Sequence, residues 1–162
     1  MAQTLFLADE TTAVVLEIDP AAERIVVDDD RVVVRTNHFV DSESTETESS
    51  AQRRRRAKTL LTDERDGQLD REALWTVARD HANGPGDDSV CRHPDPETDE
   101  PNAFEQLTTA SAAIFQGGSP AVEVVMGNPC EDERFQCTFG QAAPAACRTG
   151  MRWLDRVRDV DA

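Results

Sequence analysis

The chain has 162 residues, enough for one domain with a real core or for part of a larger one. Its 32 acidic residues stand against 17 basic ones, a formal net charge of −15, which argues against a nucleic-acid partner because phosphate binding needs a basic surface. No apolar run approaches bilayer-spanning length, and MAQTLFLADE lacks the basic and apolar regions of a secretory leader, so the expected protein is cytoplasmic with no membrane partner.

The first 40 residues read as strands joined by short turns. LFLAD (5–9), AVVLEI (13–18), RIVV (24–27) and RVVVRT (31–36) are short and rich in Val, Ile or Leu, the residues that fit a pleated, half-buried surface. Asp28, Asp29 and Asp30 suit a hairpin loop between the last two. Residues 41–50, DSESTETESS, are acidic with no apolar period and read as a surface loop. A helix is expected next, with Ser50 as its N-cap and Ala57, Leu60 and Leu61 at helical spacing. A second helix fits 70–81, capped by Asp70, with Leu74, Val77 and Ala78 on its apolar face and Gly84, Pro85 and Gly86 beyond its end.

SVCRH (89–93) reads as a further strand. An acidic loop follows over 94–103, then LTTASAAIF (107–115), AVEVVM (121–126) and FQCTF (135–139), with a turn at 117–120. The tail carries Met151, Trp153, Leu154 and Val157 at the spacing of a short amphipathic helix. Strands, then two helices, then strands predict an α+β layered fold.

Among side chains with chemistry, Arg53 to Arg56 form a run that suggests phosphate binding. On a helix, four consecutive residues spread around the whole circumference, so ion pairs within this acidic chain are the better expectation. Lys58 is the only lysine beside sixteen arginines. Lysine depletion with acid excess points to a halophilic protein, since the Debye length shrinks from about 10 Å at 0.1 M salt to about 3 Å at 1 M. Cys91, Cys130, Cys137 and Cys147 include no C-x-x-C pair and are expected reduced and buried in the cytosol. His38, His81, Cys91 and His93 make a conceivable metal set. On a strand Cys91 and His93 would face the same side, but their C-x-H spacing is short for structural zinc. No metal or other cofactor is therefore assigned.

Several pieces stand in an ordered series: TNHF (36–39), Ser50-Ala-Gln-Arg53 leading to Leu60-Leu61, Arg79-Asp80-His81, SVCRH (89–93), LTTASAAIF and MGNPC (126–130). The series resembles the C-terminal part of the acyl-coenzyme A:6-aminopenicillanic acid acyltransferase family, the isopenicillin N acyltransferase-like cysteine hydrolases of the N-terminal nucleophile class. It spans roughly residues 5–139, leaving 140–162 as a C-terminal extension. The resemblance implies an αββα sandwich made by self-cleavage at a Gly-Cys bond. The new N-terminal Cys is then the nucleophile and its own α-amine the base, and acyl groups pass from C–N amides through a thioester to an amine or water.

It also implies that Asn37 contributes a side-chain N–H to the oxyanion hole, that Ser89 and Arg92 lie beside the nucleophile, and that Arg92 holds a carboxylate or a small acyl substrate. His38 would brace the strand end. Cys91, on the face opposite Arg92 if the segment is a strand, reads as core. No Gly-Cys dipeptide occurs in the 162 residues, so the nucleophile is expected upstream, on a partner subunit. Two other readings stay open: a shortened, inactive remnant, and a non-catalytic binding module that kept the pocket. A partner or a truncation implies a large bare apolar surface. A binding module implies a fully covered sheet.

Overall fold

The computed structural model describes residues 3–19, 24–28, 32–37, 47–62, 69–84, 86–93 and 108–145. Two three-stranded antiparallel sheets and two helices account for the regular structure, so the chain is α+β. The first sheet is β1 (Gln3–Ala8), β2 (Ala13–Asp19) and β3 (Arg24–Asp28); the second is β4 (Ser111–Phe115), β5 (Ala121–Met126) and β6 (Arg134–Thr138). Each is a meander in chain order. Between them in sequence come α1 (Glu48–Thr62) and α2 (Arg71–Ala78). No helix among the described residues is long and apolar enough to cross a membrane.

The β1–β2 turn is fixed by Asp9, whose carboxylate accepts the backbone N–H groups of Thr11 and Thr12, both at 2.8 Å. The register pairs Leu5 with Leu16, Leu7 with Val14, Leu16 with Val27 and Ile18 with Ile25. Because side chains alternate across a strand, these seven apolar residues share one face. That face is bare: Ile25 is 67% exposed, Val27 61% and Leu7 50%. The opposite face carries Val15 and Glu17, both buried, and Glu17 accepts from Arg35 Nε at 2.8 Å.

The second sheet is covered. Ala112, Val125 and Arg134 lie in register on one face, as do Ile114, Glu123 and Gln136. Trp75 of α2 packs against this face, fully buried. Its indole Nε1 donates to Glu123 Oε2 at 2.7 Å, and the Arg79 and Arg134 guanidinium carbons lie 5.9 and 5.5 Å from its ring. A buried indole needs such an acceptor, and its π face suits cations.

Several expectations need correction. Residues 32–36 are Val-rich but form no strand; among the described residues no strand pairs with them, and the Val34 carbonyl accepts from Arg54 Nε at 3.3 Å. Nor is 89–93 a strand, although Arg92 exchanges hydrogen bonds with Thr109 through its N–H (2.8 Å, to Oγ1) and its carbonyl (3.0 Å). The α1 cap is Thr47, not Ser50: Thr47 Oγ1 accepts from Ser50 N at 3.2 Å and its carbonyl from Ala51 N at 3.0 Å. Asp70 does cap α2, accepting from Ala73 N at 2.7 Å. That helix stops at Ala78 rather than 81, because Asp80 is committed to other partners, as set out below. Asp29, Asp30, His38, the loop 94–103 and the tail helix lie outside the described residues.

Candidate functional site

Two polar constellations use the residues of the ordered series. The first joins the chain before α1 to the start of that helix. Ser50 Oγ donates to Thr36 Oγ1 at 2.9 Å and accepts the Asn37 backbone N–H at 3.0 Å, while Thr36 Oγ1 donates to the Ser50 carbonyl at 3.0 Å. T-N and S-x-x-R are thus two halves of one hydrogen-bonded unit. One helical turn on from Ser50, Arg53 NH2 donates to Asn37 Oδ1 at 3.0 Å. A guanidinium can only donate, so the amide oxygen must face Arg53 and Nδ2 must face away. Among the described residues nothing accepts from that Nδ2.

Arg53 is 9% exposed, and its buried Nε has no hydrogen-bond partner among the described residues. Burial first, and then the neighbouring Arg92 guanidinium, push its pKa below the ordinary arginine value, against the pull of Asp87 and Asp88. Arg92 NH1 lies 3.8 Å from Asp87 Oδ1, and Ser49 Oγ donates to the Asp87 carbonyl at 2.7 Å, which ties the 87–92 segment to the beginning of α1. Arg53 thus bonds Asn37 directly and feels the charge of Arg92. Ser89 is fully buried and its hydroxyl donates to the Gly84 carbonyl, closing the loop that leads to Cys91.

The other arginines of the run point elsewhere, as the helical period requires. Arg54 reaches the Val34 carbonyl, Arg55 pairs with Glu48 at 2.9 Å, and Arg56 makes a two-pronged contact with Asp80 at 2.8 to 3.1 Å. Burial works to raise the Asp80 pKa, but the Arg56 hydrogen bonds, the Ala82 N–H and the charges of Arg56 and His81 hold it below the usual carboxylate value.

The second constellation was not legible as a unit. The Asp80 carbonyl accepts the Cys91 N–H at 3.1 Å, setting His81 beside Cys91 and His93. Across from them is the turn after β5. Gly127 has φ +110°, and a side chain there would run into the Asp132 carboxylate, which folds back onto the Asn128 N–H at 2.8 Å. Only glycine allows this turn, and the turn presents Cys130. Asn128 Nδ2 donates to the Arg92 carbonyl at 2.6 Å, fastening the two segments together.

The result is a cluster of His81, Cys91, His93 and Cys130, with one ligand atom from each and all four atoms within 4.8 Å of one another. His93 Nε2 lies 3.0 Å from His81 Nε2, 3.1 Å from Cys130 Sγ and 3.8 Å from Cys91 Sγ, and the two sulfurs are 3.7 Å apart. Cys91 is buried as expected of a core residue, yet these neighbours are polar. Cys130, against expectation, is exposed as a residue, with its thiol turned into the cluster. Burial of that thiol, and after it Cys91, push it up to about 11.

Neither models of known families, nor curated proteins, nor solved structures yield a match to this chain.

Proposed function

We propose that the chain is the C-terminal part of an αββα N-terminal nucleophile enzyme. In this reading it is an acyltransferase or amidohydrolase that cleaves C–N amides through a thioester, with the nucleophilic cysteine carried by an upstream subunit. The observation that carries this reading is the Arg53-held Asn37 amide, whose Nδ2 is left undirected toward any described residue. Asn37 is exposed, so this donor is open to an acceptor from outside the chain, and an oxyanion is one.

In the proposed step the incoming thiolate attacks the acyl carbon. The carbonyl oxygen becomes an oxyanion and takes a hydrogen bond from Asn37 Nδ2. The amine then leaves with the proton that the nucleophile's own α-amine had removed from the thiol. Water or a second amine resolves the thioester. Arg92, braced by Asp87 and held by its backbone bonds to Thr109, suits a substrate carboxylate. Arg53 acts as a positioning residue for Asn37. Ser89 supports the loop from which Arg92 projects.

The bare face of the first sheet favours a missing layer over a self-sufficient binding module, which would need that face covered. The test is turnover of an acyl thioester or amide by the chain combined with the polypeptide encoded immediately upstream, in molar KCl. Asn37→Ala is expected to lower kcat by roughly 10²–10³ with KM little changed, the signature of a donor used in the transition state. Equal kcat in the variant would remove Asn37 from the mechanism. No turnover from the combined polypeptides would leave the remnant reading in its place.

A further inference from the structure

We infer that His81, Cys91, His93 and Cys130 form a structural zinc site. The inference is independent of the acyl-transfer reading. It rests first on distances. Tetrahedral zinc with Zn–S near 2.3 Å and Zn–N near 2.0–2.1 Å sets ligand-to-ligand edges of ~3.8 Å for S···S, ~3.3 Å for N···N and ~3.6 Å for S···N. The corresponding separations are 3.7 Å for the sulfurs, 3.0 Å for the two Nε2 atoms, and 3.1 and 3.8 Å for His93 Nε2 to Cys130 and Cys91. Four of the six edges come within about 0.5 Å of a zinc tetrahedron, and the two from His81 to the sulfurs are no longer than 4.8 Å.

The alternative is a hydrogen-bonded cluster of thiols and imidazoles, and it fails on counting. A ring nitrogen offers one proton or one lone pair, in a single direction. His93 Nε2 has three close neighbours and can satisfy one. Four lone pairs converging on a common centre satisfy all of them at once. Binding releases both thiol protons to solvent, and two thiolates then neutralise the dication, which suits a site with one buried ligand.

The surroundings match what such ligands need. His93 Nδ1 lies 3.7 Å from Glu131 Oε1, and Asn128 Nδ2 lies 3.8 Å from Cys91 Sγ. A carboxylate behind a metal-bound imidazole and an N–H toward a thiolate are the usual outer partners. An S₂N₂ tetrahedron selects zinc over harder cations. Four protein ligands leave no open position, so the role is structural rather than catalytic. The metal would join three segments: the end of α2, the 91–93 stretch and the turn after β5. Arg92 sits between two ligands, so the same metal fixes the backbone that aims it.

The test uses the whole reduced chain in molar KCl. After stripping with a chelator, Zn²⁺ is titrated against a chromophoric competitor and Co²⁺ is followed by absorption. The expected result is one metal per chain with Kd below about 100 nM, and a Co²⁺ spectrum showing tetrahedral ligand-field bands with thiolate charge transfer. Cys130→Ser and His81→Ala should each weaken binding by more than about 100-fold, whereas Cys137→Ser leaves it unchanged. The wild-type cobalt spectrum decides the matter even if the ligand variants fail to fold. Binding weaker than micromolar, a cobalt spectrum without thiolate ligation, or a Cys91–Cys130 disulfide in protein prepared without oxidant would each overturn the assignment.

Discussion

The two sheets have the same build, three antiparallel strands in chain order, and opposite finishes. The second sheet offers Glu123 and Arg134 on the face that α2 covers, and Trp75 fills the space between them with its N–H satisfied. The first offers Leu7, Ile25 and Val27 to solvent. A sheet face built mostly of Leu, Ile and Val gains nothing from water contact, since burial of apolar area is what stabilises it, at roughly 25 cal/mol per Å². The second sheet has one face closed by α2, although Phe115 stays 67% exposed on its other face, and the first leaves its Leu, Ile and Val face open.

The contrast can be broken most directly at Trp75. Trp75→Ala removes a fully buried ring together with a hydrogen bond and should cost about 3–5 kcal/mol, read as a large drop in the unfolding midpoint in molar KCl. Salt comes next. With a net charge of −15, the midpoint of the wild-type chain should rise steeply with KCl as self-repulsion is screened. An unchanged midpoint would rule out salt adaptation.

A smaller effect is expected from pH. The Trp75 N–H, opposed by burial and aided by Arg71 and Arg134, holds the Glu123 carboxyl below its ordinary value of 4.5. The unfolded chain therefore binds this proton more readily. The stabilisation is complete above about pH 4.5 and lost as pH falls through the lower, folded value. Glu123→Gln should cost about 1–2 kcal/mol at neutral pH and flatten the acid limb of a pH series of midpoints. The smallest effect belongs to the bare face: Ile25→Ser and Val27→Ser should change the stability of the isolated chain by less than about 0.5 kcal/mol each. A loss near that of Trp75→Ala would mean the face is already covered.

Much of this fold was legible because its strands are short, β-branched and bounded by turn residues. β1, β2, β3, β5 and β6 fall within about two residues of their apolar runs, within the usual margin of boundary assignment. The failures have a common cause. Residues 32–36 have strand composition, but a strand also needs a neighbour to take its hydrogen bonds, and composition does not reveal one. The same limit shortened α2. Its apolar period continues past Ala78, but Asp80 spends its carboxylate on Arg56 and its carbonyl on Cys91, and both partners are distant in sequence.

The candidate site divides in the same way. Ion pairs were expected of Arg53 to Arg56 from the helical period and the acidic charge; Arg55 and Arg56 make them with Glu48 and Asp80, whereas Arg54 reaches a carbonyl and the bond from Arg53 to Asn37 required the fold. Three members of the four-residue cluster, His81, Cys91 and His93, stood in the conceivable metal set, with His38 named in place of Cys130. Cys130 was passed over because 36 residues separate it from His93. The available signal was the cysteine after Gly127 in MGNPC, a residue type seldom placed on an exposed turn without a task.

Attack by a sulfur from outside this chain, on an acyl group whose oxyanion the Asn37 amide would hold, is tested most directly by trapping the acyl intermediate. The chain and the upstream-encoded polypeptide are mixed in molar KCl with an activated acyl donor, quenched in acid during the first turnover, and mapped by peptide mass spectrometry. The expected product is an acyl thioester on the N-terminal cysteine of the upstream polypeptide, with none on Cys91, Cys130 or Cys137. Acyl groups on Cys91 or Cys130, or turnover by this chain alone, would contradict it.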